Sequence, residues 1–159
     1  MNKSALREQI LLQLQSTLAT QTAAAHLARD EAISEESKAE NKYDTHGQEA
    51  AYLAEGQARL AVEIQASLAF YQSFVPVAFR PGEPIAIGAV VELKARGASS
   101  WYFIGPGAGG FEISLDGRTV LGLSPQSPLG RQLVGKRAGE MLPAAKGKAA
   151  ASQQILSVE

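Results

Sequence analysis

Apolar and small residues recur every three or four positions through the first half of the chain. One stripe runs Leu11, Leu14, Leu18, Ala25, Ala28 and Ala32, with Gln21 as its polar exception. A second runs Ala50, Leu53, Leu60, Ile64, Tyr71 and Phe74, interrupted by Gln57 and Ser67. Narrow stripes of this period are coiled-coil seams, and small residues in a seam let helices approach closely. The spacing predicts an antiparallel helical hairpin over about 3–74, with a bend close to residue 40 and Gly47 suited to the turn. After Phe74 the period changes to two. The stretches 85–95 and 99–105 read as strands joined at Arg96-Gly97, and 111–114 and 118–123 as a second hairpin turning at Asp116-Gly117. On the strand 99–105, Trp101 and Phe103 share one face and Tyr102 takes the other. Ser127 and Pro128 read as the N-cap and first residue of a short helix over 127–133, and 152–158 as a final strand.

Composition sharpens this division. All 7 prolines lie at Pro76 or later, and of 15 glycines only Gly47 and Gly56 precede residue 75. Residues 1–74 hold 6 Lys/Arg against 10 Asp/Glu, whereas residues 75–159 hold 9 against 6. The chain therefore reads as α+β: an antiparallel coiled-coil hairpin over 1–75 with a charged tip, then a small antiparallel sheet domain with one short helix over 76–159. There is no cysteine, which excludes disulfides and thiolate metal sites and fits a reducing, cytoplasmic setting. The first twenty residues are amphipathic and broken by glutamines, unlike a signal peptide, and no apolar run has the length of a membrane span. His26 and His46 are far apart and make no zinc pattern. The run GPGAGG at 105–110 lacks the Gly-Lys-Ser/Thr ending of a phosphate loop and reads as a turn.

Three segments carry a resemblance: Gly88–Leu93 (GAVVEL), Phe103–Pro106 (FIGP) and Ser124–Lys136 (SPQSPLGRQLVGK). Placed behind a helical hairpin with a charged tip, they resemble the bacterial Gre transcript-cleavage factor family over essentially the whole chain. The resemblance implies an FKBP-like second domain that grips the rim of the RNA polymerase secondary channel, and a hairpin that enters the channel. By that resemblance Ser127, Pro128, Leu129, Arg131 and Lys136 face the polymerase. Glu36, Glu40, Asn41 and Asp44 stand near its active centre, where Glu40 and Asp44 help hold a Mg2+ ion shared with the enzyme. Such a factor has no reaction of its own and binds no stable cofactor; it meets nascent RNA only inside the polymerase complex, and no membrane is involved.

The tip departs from the family pattern. Cleaving members carry Asp, two residues, Glu-Asn and then Glu-Tyr, whereas SKAENKYD at 37–44 has Ser37 in the aspartate position and Tyr43-Asp44 in place of Glu-Tyr. Lys38 and Lys42 oppose a dication, and one carboxylate supplies fewer oxygen ligands than a pair. The sequence thus predicts weak or absent stimulation of cleavage, with polymerase binding retained. A reading of the same residues as a solvated helix end stays open, as does an FKBP-type peptidyl-prolyl isomerase. That enzyme needs an aromatic-lined pocket, and only 6% of the chain is aromatic.

Overall fold

The computed structural model describes residues 1–33, 46–107, 110–143 and 152–159. Two long helices, α1 (Lys3–Ile33) and α2 (His46–Ser73), precede six strands and one short helix. The strands are β1 (Val90–Ala95), β2 (Ala98–Ile104), β3 (Glu112–Leu115), β4 (Arg118–Leu123), β5 (Met141–Leu142) and β6 (Gln153–Val158); α3 (Pro128–Leu133) lies between β4 and β5. The chain forms two compact units, one of Leu11–Ala69 and one of Met1–Ile10 with Phe70–Glu159. The second unit thus includes the start of α1 and the end of α2.

In the helical unit the α1 stripe is as predicted. Leu14 and Ala28 are buried, and Leu11, Leu18, Gln21, Ala25 and Ala32 are half-buried. On α2, Ala50, Ile64 and Ser67 are buried, but Leu53 and Leu60 are exposed and the neighbouring Ala54 and Ala61 are turned inward instead. The small side chains of Ala54 and Ala61 take the inward positions, and the larger Leu53 and Leu60 stand on the exposed flank. A groove of about 440 Å3 is lined by Ala25, His26 and Arg29 of α1 and by Ala54, Ala58 and Ala61 of α2. Gly47, expected in the bend, lies in the first turn of α2. The bend itself, near residue 40, lies outside the described residues.

The other unit is built on one six-stranded sheet of order β3-β4-β2-β1-β6-β5. Arg96 and Gly97 both have positive φ at the β1–β2 turn, and Asp116 and Gly117 do at the β3–β4 turn. Two consecutive positive φ angles give the primed turn whose twist matches a hairpin. The sheet is mixed, which corrects the expectation of an antiparallel one: β2 and β4 pair in parallel, Trp101 opposite Val120 and Ile104 opposite Leu123. After β2 the chain next enters the sheet at its edge as β3, and the β3–β4 hairpin then brings β4 back beside β2 in the same direction. Two further details differ. β1 starts at Val90 rather than 85, because Ala89 N–H closes a turn onto the Ala86 carbonyl at 3.1 Å. β5, only two residues long, has too little pattern to be seen in sequence.

The two faces of the sheet bury different chemistry. On one, Val91, Leu93, Ile104, Ile155, Leu133 and Leu142 form an aliphatic core, with Tyr102, Leu123 and Leu129 packed against it. On the other, Phe103 meets Tyr71, Phe74 and Phe111, with ring centroids 6.2–6.5 Å apart. Alternation along β2 thus puts Phe103 and Tyr102 on opposite faces, as the two-residue period requires.

Candidate functional site

The Ser124–Lys136 stretch folds as its residue types dictate. Ser127 has an extended backbone (φ −63°, ψ 156°), and its Oγ accepts the Gly130 N–H at 3.0 Å, which makes it the N-cap of α3. The same hydroxyl donates to the Ser124 carbonyl at 2.8 Å, so one side chain closes both the turn before the helix and the helix start. Pro128 takes the first helical position, where its missing N–H costs nothing. Gly130 is required by space: a Cβ there would lie 2.0 Å from the Ser124 carbonyl oxygen. Leu129 packs on the aliphatic core and Leu133 is fully buried within it.

The helix ends on a charged turn. Lys136 Nζ lies 2.7 Å from Glu140 Oε2, while Glu140 Oε1 accepts the Arg137 N–H at 2.8 Å. The hydrogen bond from Lys136, followed by that from Arg137, holds the Glu140 carboxyl below its ordinary pKa. Arg137 Nε donates to the Gly82 carbonyl at 2.8 Å, tying the turn to the segment ahead of β1. Ile85 N–H donates to the Lys136 carbonyl and Gly135 N–H to the Ile85 carbonyl, at 2.7 and 2.8 Å, so the same segment is bound twice more.

Five residues were expected to face a partner here, and the structure gives them different situations. Ser127 is half-buried and Pro128 exposed, while Leu129 belongs partly to the core. Lys136 is engaged with Glu140, and Arg131 is exposed in the last turn of α3, with Val134 exposed at its C-cap. Glu140 had no role in the sequence reading. No local pattern marks it, because residues 136–140 lie past the end of α3 in a non-helical turn. Glu36, Glu40, Asn41 and Asp44 lie outside the described residues, and with them the expected Mg2+ ligands. Among the described residues no three His, Asp or Glu gather as a metal site. None of the described helices is long and apolar enough to cross a membrane.

Two more polar arrangements went unseen in the sequence. Lys3 Nζ donates to the Val77 and Gly88 carbonyls at 2.8 and 3.0 Å and sits 4.6 Å from the centre of the Phe79 ring. Burial lowers its pKa to about 8, against a raising influence from Glu159. Arg118 stacks over Trp101 at 4.4 Å beside an open cavity of about 470 Å3 that Ser99, Ser100 and Thr119 also line. A lysine at a helix start and an arginine after a turn are common, and nothing in the local pattern marks either contact.

No protein-family model matches the chain, and no curated protein matches it. The chain is similar to several solved structures. Gfh1 of Thermus aquaticus is 22% identical, covering 96% of this chain and 92% of its own, with a TM-score of 0.39. GreA factor homolog 1 (Gfh1) of Thermus thermophilus is 21% identical, covering 94% of each chain, with a TM-score of 0.37. The transcription elongation factor GreA/GreB from Nitrosomonas europaea is 14% identical over 70% of this chain and 91% of its own, with a TM-score of 0.36. Likenesses this distant carry no argument about activity.

Proposed function

We propose that this chain is a Gre-type regulator of transcription elongation that docks on RNA polymerase through the unit containing α3 and presents the α1/α2 tip to the secondary channel. The observation that carries the reading is the Ser127–Lys136 segment. The stretch on which the sequence resemblance rests folds into a capped helix that leaves Arg131 exposed in its last turn and Val134 exposed at its C-cap. An exposed basic residue and an exposed apolar one at the end of one short helix suit a protein partner, because aliphatic contact supplies affinity and charge supplies orientation. The factor would have no reaction of its own. Glu36, Glu40, Asn41 and Asp44 would approach the polymerase active centre, and any RNA cleavage would be performed by the polymerase with its own Mg2+. Nascent RNA would be met only within that complex.

Within this reading the non-cleaving form is favoured by Ser37 and by Lys38 and Lys42, which weaken the tip as a cation site. An isomerase is disfavoured by the aromatic cluster. Tyr71, Phe103 and Phe111 are each at most 7% exposed and pack on one another, so they fill the space that they would have to line.

The test is capture of core RNA polymerase by the purified protein. Binding should be weakened by Arg131→Glu with the circular dichroism unchanged. Lys136→Glu is a poorer probe because it would set a second carboxylate against Glu140. A backtracked elongation complex then separates the two forms: altered elongation without rapid RNA cleavage supports the non-cleaving factor, and cleavage abolished by Glu40→Ala supports the cleaving one. Absence of polymerase binding rejects the assignment.

A further inference from the structure

Three polar residues interrupt the two stripes: Ser67, whose hydroxyl donates to the Glu63 carbonyl at 3.0 Å, and Gln21 and Gln57, whose side-chain oxygens Oε1 are buried and accept no hydrogen bond. A buried amide carbonyl without a donor is costly, so two of them in one small unit require an explanation. Their positions supply it. Leu14, Gln21 and Ala28 stand one heptad apart on α1, and Ile64, Gln57 and Ala50 stand one heptad apart in the reverse direction on α2. Leu14, Ile64, Ala28 and Ala50 are all buried. Arg7, one heptad before Leu14, donates from Nε to the carbonyl of Tyr71, one heptad after Ile64, at 2.6 Å; in an antiparallel pair equal steps from that contact set Leu14 against Ile64, Gln21 against Gln57 and Ala28 against Ala50.

We propose that Gln21 and Gln57 form a reciprocal amide pair that fixes the register of α1 against α2. Each amide carries one acceptor and two donors. A half-turn of a terminal amide exchanges its carbonyl for its NH2, so two facing glutamines can each donate to the other. Arg7 ties the base of the pair, its Nε and Nη2 donating to the Tyr71 and Gln72 carbonyls at 2.6 Å; beyond it the leucines, isoleucine and alanines of the seam tolerate displacement by a heptad. One slip would set Gln21 against Ile64 and Gln57 against Ala28; the opposite slip would set Gln21 against Ala50 and Gln57 against Leu14. Either leaves two buried amides facing apolar side chains, so only the native register satisfies both. The layer lowers stability relative to an apolar one and gains a single alignment.

The chain has no cysteine, so engineered pairs report without background. In full-length protein, Ala28→Cys with Ala50→Cys should form a disulfide on mild oxidation, and Ala24→Cys with Ala61→Cys, matched only after a one-heptad slip, should not. In a Gln21→Leu/Gln57→Leu background the slipped pair should also cross-link. Thermal unfolding gives an independent readout. Each single Leu variant strands the other amide and should lower the midpoint by roughly 3 °C or more, whereas the double variant should recover to or above the wild type. Native-only cross-linking in the double Leu background, or midpoint changes that simply add, would overturn the proposal.

Discussion

Ala28 and Ala50 close the helical unit, whereas Ile155, Leu133 and Leu142 close the sheet unit, and the contrast extends to what each leaves outside. Along the helices Leu27, Ile33, Tyr52 and Val62 are all more than 60% exposed while alanines fill the seam. In the sheet, by contrast, Val90, Val91, Val120, Ile104 and Ile155 are fully buried. The helical unit buries small side chains and leaves several of its large apolar ones outside. The sheet unit obtains buried area on both faces of one layer. At about 25 cal/mol per Å2 of apolar surface, the second arrangement contributes more stability per residue.

The comparison can be broken most directly at Leu133. It is fully buried among Ile85, Ile104 and Ile155, and Leu133→Ala should cost about 2–5 kcal/mol in urea unfolding. A loss below about 1 kcal/mol would mean that the sheet core is no denser than the helical seam. Next in size is Ser127→Ala, which removes the acceptor for Gly130 N–H and should cost about 1 kcal/mol, with Ser127→Gly costing a few tenths. At the other extreme, Leu27→Ala should change stability by less than about 0.5 kcal/mol, since the side chain is 71% exposed. A larger effect would show that the helical flank is covered.

A different kind of effect, one that depends on pH, concerns Lys3. Its folded pKa of about 8 lies below the ordinary 10.5, so between those values the unfolded chain binds the proton that the folded chain has released. Stability from this group should therefore rise with pH from about 8 to 10.5 and stay flat below. In Lys3→Met that rise should disappear. Titration of the Lys3 side chain by NMR should give a midpoint near 8, and a midpoint above 10 would contradict the burial described.

Long-period features were legible in the sequence, and features decided by contact were not. The heptad stripe of α1, the turns at Arg96-Gly97 and Asp116-Gly117, β4 at 118–123 and the Ser127 cap could each be read from a few adjacent residues, because local backbone preference and the nearby pattern agree there. The choice of Ala54 and Ala61 over Leu53 and Leu60 could not, because it depends on how close α1 comes. The parallel pairing of β2 with β4 was hidden for a similar reason: both strands alternate identically in either orientation. Of the expected site, the cap and helix of α3 were legible, but the Lys136–Glu140 and Arg137–Gly82 contacts bring together residues whose roles only the folded turn defines.

The position of β6 in the sheet has a further consequence during synthesis. β1 is hydrogen-bonded to β2 on one side and to β6 on the other, with Val91 opposite Val158 and Leu93 opposite Ile155. Ile155 also belongs to the aliphatic core. On the ribosome, α1 and α2 emerge early and can fold on local contacts. The sheet must wait with the β1 edge unpaired until residues 153–158 leave the exit tunnel. For that interval a nascent chain carries an open strand edge beside a finished helical pair. This is the period in which it would be most dependent on chaperones and most prone to pair with a neighbouring nascent copy.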